Sequence, residues 1–482
     1  MIFNSWIYLS FLTLTFLSYF LISKKNYKYF IIFISSSIFY GSWSFKFLFL
    51  IYFSIILNYF IGIQIEKIKN KKIYFYLGVS INIFILFYFK YLNFFLDNII
   101  NFLEILNLDI KVTTLKIILP LAISFYTFEN ISYLADVRRG FIKAEKNIFF
   151  YSAFIIFFPK LIAGPILRAS EILPQFKKLK INLNFVNIRK GLWRIILGLF
   201  LKVVFADNIG LFVDKAFLLD PKDLSGIDII TISFMFGFQI YFDFCAYTSI
   251  AIGSASLFNI HLVENFNFPY LSTTPREFWK RWHITLSNWI RDYVYLPLSK
   301  VKFKKRLSSS KPFDVDEHVS KYSLNFFPLF ITWLLVGIWH GSSWNFVFWG
   351  FYHFILLLIY RLIASNISFS FIPPKLKNFL NWIIILPLIM LSWIPFRSFD
   401  LLHTMDLYKR LFDYENFFQL NMRENNYIFI FFIFISHLAT YFIIKKKIYN
   451  PSYMMKCFIL SVMIYLIILF LEGNNRFIYF QF

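Results

Sequence analysis

Residues Phe326 to Tyr360 read FFPLFITWLLVGIWHGSSWNFVFWGFYHFILLLIY, and they contain no Asp, Glu, Lys or Arg. An apolar run of this kind belongs in a bilayer. The surrounding stretch 325–363 would reach roughly 60 Å as one helix at 1.5 Å per residue, about twice the hydrocarbon thickness. A break near Gly341-Ser342-Ser343 resolves the excess and leaves His340 at a helix end inside the membrane. Irregular backbone at that depth is tolerated only where it is buried in protein or lines a cavity. An imidazole there is costly to keep, so His340 is a candidate functional group. The other histidine of the stretch, His353, lies several turns away and is expected to be structural.

The rest of the chain follows the same pattern. It has 482 residues, of which 59% are hydrophobic, with a mean hydropathy of +0.62. Candidate spans are 2–22, 29–42, 46–65, 73–93, 114–133, 147–163, 191–206, 228–258, 325–339, 344–363, 379–396, 427–444 and 454–471. Some are too short or too polar to cross, which predicts an all-α polytopic membrane protein. About eleven helices should be transmembrane and the remainder re-entrant or interfacial. The apolar start, from Ile2 to Ile22, lacks a basic region and a small-residue cleavage site, so it reads as a retained first helix.

The net charge is +23, from 49 basic and 26 acidic residues. The basic residues cluster between apolar segments, as at Lys24-Lys25, Lys67 to Lys72, Lys300 to Arg306 and Lys445 to Lys447. This is the signature of cytoplasmic loops beside anionic lipid, and it excludes a nucleic-acid-binding reading. It places the loop 299–321 in the cytoplasm and both termini outside. Two distant cysteines, Cys245 and Cys457, suggest neither a disulfide framework nor a metal site.

Before the basic loop comes a block too charged to span lipid and too aromatic for an ordinary loop. Thr274-Pro275-Arg276-Glu277 reads as a helix start, with Thr274 as N-cap, Pro275 in the first turn and Glu277 closing a capping box. Pro297 is expected to end the helix. On one continuous helix His283, Ser287 and Arg291 share a face at i, i+4 and i+8.

Two blocks carry a specific resemblance. Residues 275–297, PREFWKRWHITLSNWIRDYVYLP, and residues 337–350, GIWHGSSWNFVFWG, resemble the two histidine-bearing motifs of bacterial membrane-bound O-acyltransferases. PLAISFYTF at 120–128, FPKLIAGPI at 158–166 and FIYFQF at 477–482 are similar to further family stretches, the last to the alginate O-acetyltransferase-like branch. Ser249 stands where that branch usually has Asp, and Ala122 where it has Gly.

The resemblance implies a single acyltransferase domain over 1–482, with N-terminal helices at 1–113, a motif-bearing core at 114–364 and C-terminal helices at 365–482. These helices would surround a central acyl-transfer channel. It implies catalytic roles for His340 and His283, and substrate binding by Arg281, Ser287, Arg291, Trp339 and Trp344. The implied reaction moves an acyl group, acetyl first, from a cytoplasmic thioester to a polysaccharide hydroxyl. The donor would be acetyl-CoA or an acyl carrier protein, with no bound cofactor or metal. An extracytoplasmic partner acyltransferase would complete the transfer, and the setting would be the bacterial inner membrane. Imidazole suits the base that such a transfer needs, and Trp344 or the amides after the break could serve the developing oxyanion. D-alanyl transfer to teichoic acid from a carrier protein is the alternative within the class. A proton-coupled transporter is the remote one, disfavoured because no second buried charge network is expected.

Overall fold

A computed structural model describes residues 1–22, 25–68, 70–108, 115–179, 182–300, 326–366, 372–446 and 452–471. Among them every regular element is helical. The expectations for the basic loop 299–321 and for the 477–482 ending fall almost wholly outside these residues. Among the described residues eight helices are long and apolar enough to cross a membrane, and two further apolar helices, Trp6–Leu21 and Phe327–His340, are shorter. The chain is therefore an all-α polytopic membrane protein.

The candidate spans at 114–133 and 147–163 are not uninterrupted helices. Residues 115–120 are irregular, and helix α1 (Ile123–Arg139) begins only after Ala122, whose φ of 60° is left-handed. A glycine takes that conformation without steric cost, and Ala122 is the position where the motif it resembles carries one. The second candidate becomes the helix Ile148–Ile156, which stops at Phe157 before a four-residue helix opened by Phe158-Pro159.

The residues form two compact units. The first draws on Met1–Ile195, Thr248–Glu264 and the described residues from Asn288 to Lys300. Its α1 is buried on nearly every face, although it carries Glu129, Asn130 and Asp136. Each of these polar groups is paired, as burial requires. Glu129 forms an ion pair with Lys160 and accepts the Leu167 amide. Asn130 donates to Ser54 and accepts from Tyr151. Asp136 accepts from the Tyr293 hydroxyl at 2.9 Å. Asp292 binds Arg168 at 2.5 Å and Arg291 at 2.7 Å. The Trp289 indole donates to the Phe128 carbonyl at 2.9 Å.

The second unit holds Ile196–Tyr247, Asn265–Ser287 and the described residues from Phe326 onward. Lys202 lies in a π-helical stretch, Leu201–Ala206, and reaches Asp207 at 2.7 Å and Asp243 at 2.8 Å. Asp243 belongs to helix α2 (Gly226–Leu257). Buried charge networks are thus present, against the sequence expectation. Their partners lie up to 41 positions apart in this unit (243 minus 202), so no local pattern reveals them.

The 326–366 stretch is a helical hairpin. Helix α5 (Phe327–His340) and helix α6 (Trp344–Asn366) follow the short helices α3 (Pro275–Arg281) and α4 (Ile284–Ile290). The break falls at 341–343, as the length argument predicts. A side chain on Gly337 would strike the Phe346 carbonyl, and one on Gly350 the Trp333 carbonyl. The contacts run in opposite directions along the chain, so α5 and α6 are antiparallel and meet backbone to backbone.

Candidate functional site

Helix α3 starts as the sequence predicts. Thr274 accepts the Glu277 amide at 3.0 Å, with Pro275 in the first turn. The box closes one residue early, since Glu277 accepts from the Thr273 amide and hydroxyl at 2.8 and 2.9 Å. Burial pushes the Glu277 carboxyl up, but those bonds and Arg281 at 2.6 Å outweigh it and hold its pKa below the usual carboxylate range.

The single helix expected to run to Pro297 is not formed. Helix α3 ends at Arg281, Trp282 is extended, and His283 has φ +41°. Helix α4 begins at Ile284 and passes at Arg291 into a π-helical stretch, Arg291–Tyr295. Asn265 makes the break stable. Its backbone carbonyl accepts the Ile284 amide at 2.9 Å, and its side-chain oxygen accepts the Thr285 amide and hydroxyl at 3.2 and 2.6 Å. Those amides are the orphan donors of a helix start. The i, i+4, i+8 face of His283, Ser287 and Arg291 therefore gives way to a kinked arrangement. Ser287 turns back to the Trp282 carbonyl at 3.1 Å.

His283 is fully buried. Its ring stands edge-on to Phe244, centroids 4.6 Å apart, and neither nitrogen has a hydrogen-bond partner among the described residues. His340 is the last residue of α5. Three aromatic rings enclose its imidazole: Trp339 at 4.6 Å, Trp349 at 4.7 Å and Phe396 at 5.0 Å between centroids. The Trp339 indole is also 6.5 Å from His283, so one side chain borders both histidines. A Cβ on Gly341 would overlap the Phe346 ring, so glycine lets the chain leave the helix beside His340.

The remaining sequence candidates are placed as follows. Arg281 pairs with Glu277, and Arg291 with Asp292. Trp344 opens α6, is 54% exposed, and lines an apolar pocket of about 320 Å³ with Phe330, Leu334, Val347, Phe348 and Phe351. Beyond the break, the α6 indole packed on His340 is Trp349, 4.7 Å away between centroids. Sequence reasoning missed Asn265, Trp349 and Phe396. Among the described residues no group of three His, Cys, Asp or Glu side chains is arranged to hold a metal.

Residues 141–310 match the membrane-bound O-acyltransferase family, MBOAT. The chain is 32% identical over 418 residues to the probable alginate O-acetylase AlgI of Pseudomonas aeruginosa, covering 86% of this chain and 75% of that protein. It is 36% identical over 437 residues to the peptidoglycan O-acetyltransferase of Helicobacter pylori, covering 83% and 78%. It is 27% identical over 275 residues to the teichoic acid D-alanyltransferase of Bacillus subtilis, covering 56% and 65%.

Proposed function

The chain belongs to the membrane-bound O-acyltransferase family, and we propose that His340 is the general base of its transfer reaction. It is a multi-pass O-acyltransferase of the bacterial inner membrane. The transferred group is an acetyl and the acceptor a hydroxyl of a cell-envelope polysaccharide, as the relatives' activities support. The observation that carries the assignment is His340 at the hairpin break, walled by Trp339, Trp349 and Phe396.

In this reading the acceptor hydroxyl gives its proton to the His340 imidazole as its oxygen attacks the thioester carbonyl carbon. The C–S bond then breaks, and the departing thiolate takes the proton from the imidazolium. Excluding water protects the thioester from hydrolysis, and the three aromatic rings supply that wall. His283, which also borders Trp339, supports the site, while Arg281, Ser287, Arg291 and Trp344 serve substrate binding. The helices would surround a channel open to a cytoplasmic donor, acetyl-CoA or an acyl carrier protein. An extracytoplasmic partner acyltransferase would complete delivery to the polysaccharide.

D-alanyl transfer has weaker support, because that similarity covers little more than half the chain. The test is acyl transfer by the purified protein, with acetyl-CoA, acetyl-carrier and D-alanyl-carrier compared as donors. Absence of transfer from every thioester, with ion or solute flux instead, would favour the proton-coupled transporter.

A further inference from the structure

We infer that His353 is a positioning residue for the acyl transfer: its ring edge sets the plane of the Trp349 indole, and Trp349 in turn sets the imidazole of His340. The inference rests on the reading of His340 given above.

His353 is fully buried on α6, boxed by three indoles. Trp349 lies 4.6 Å away at 68°, Trp279 5.0 Å away at 82°, and Trp333 stacks at 5.2 Å and 25°. Neither ring nitrogen has a hydrogen-bond partner among the described residues. A buried polar group left unpaired destabilises the fold. Phenylalanine or leucine would fill an indole-lined box without that cost, so packing alone does not account for an imidazole here.

The geometry shows what the imidazole adds. A neutral ring carries one N–H, and the steep angles to Trp349 and Trp279 are those of edge-to-face pairs, in which that N–H can meet one indole face as an N–H···π contact. Such a contact fixes an indole plane more narrowly than a C–H edge does. Trp349 passes that orientation on, standing at 79° to His340. Trp279 lies on α3, so the same imidazole also touches the helix that leads into His283.

The test is a double-mutant cycle on purified protein in lipid nanodiscs, with His353→Phe, Trp349→Phe and the double variant. His353→Phe should keep or raise Tm, because it removes unpaired nitrogens from the interior. It should lower kcat about tenfold, the scale of a small misplacement at a reacting group, with donor KM unchanged. The double variant should be no slower than Trp349→Phe alone, because one effect travels through the other. Wild-type kcat in His353→Phe, or losses that multiply in the double variant, would overturn the inference. Should His353→Phe not fold, His353→Asn takes its place in the cycle. A second readout needs no turnover: the rate at which diethyl pyrocarbonate modifies His340, followed by peptide mass spectrometry. It should change in His353→Phe and Trp349→Phe alike, and an unchanged rate would sink the coupling even if the acyltransferase reading itself failed.

Discussion

Gly337 and Gly350 face each other across the hairpin, and a side chain on either would come within 3.1 Å of the other's Cα and strike a carbonyl of the facing helix. This contact lets α5 and α6 approach to backbone distance, and His340 lies three residues beyond Gly337. Small residues serve the same purpose at helix crossings throughout membrane proteins. Gly337→Leu should therefore open the hairpin and abolish transfer. Gly337→Ala should cost less, though its methyl still meets the Phe346 carbonyl. Thermal unfolding in detergent together with activity checks this, and full activity in Gly337→Leu would contradict the packing.

His340→Ala should abolish acyl transfer while leaving membrane insertion intact. Loss of a general base typically costs roughly 10²–10⁴-fold in rate. The measurement is single-turnover acyl transfer, set beside the amount of folded protein recovered. Near wild-type turnover would remove His340 from the mechanism.

Arg168 and Arg291 share Asp292, so the two arginines are not equivalent. With Arg291→Ala, Arg168 still neutralises the carboxylate, and the fold should stand. Donor KM should then rise about tenfold with kcat retained, the scale of one charge-assisted contact. Lys at 291 should recover only part of this, having the charge without the fork. Asp292→Ala should instead cost about 3–5 kcal/mol of stability, because the buried Arg168 guanidinium loses its carboxylate. An unchanged donor KM in Arg291→Ala would leave that arginine a partner of Asp292 alone.

Lys202 neutralises two carboxylates, and its loss should be felt by the whole of its unit. Lys202→Met should lower the yield of folded protein, with a cost of about 3–5 kcal/mol. Asp243→Asn in the same chain should restore part of the loss by removing one orphaned charge. Size-exclusion profiles and unfolding temperatures of the single and double variants decide the matter.

The topology expectation is open to direct labelling. A cysteine at Ser309 should resist a membrane-impermeant thiol reagent added to intact cells, and one near Phe482 should react. The reverse pattern would invert the orientation that the basic runs imply.

Some of this architecture was legible in the chain itself, and the reasons are specific. The hairpin break followed from arithmetic on helix rise, and Thr274-Pro275 announced its helix because caps are local. The kink at His283 was invisible, because residues 282 and 283 are neither glycine nor proline. What captures the new helix start is Asn265, eighteen positions earlier in sequence (283 minus 265). Trp349 was not singled out for a related reason: the turn at 341–343 resets the helical phase. The Lys202 network was hidden because Asp243 reaches it from another helix and Asp207 only through a π-helical register, neither of which ordinary helical spacing signals.

The left-handed backbone at His283 has one further consequence. A bulky residue with positive φ stores conformational energy that its surroundings must hold in place. Here the holding group is the Asn265 side chain and carbonyl, and helices α3 and α4 are each seven residues long. A segment as short as α3 does not persist on its own. The turn bearing His283 is thus a loaded spring with several catches: Asn265→Ala would undo the side-chain catch at Thr285, while the Ile284 amide, the Asn267 amide on the Arg281 carbonyl and the Ser287 hydroxyl still hold it.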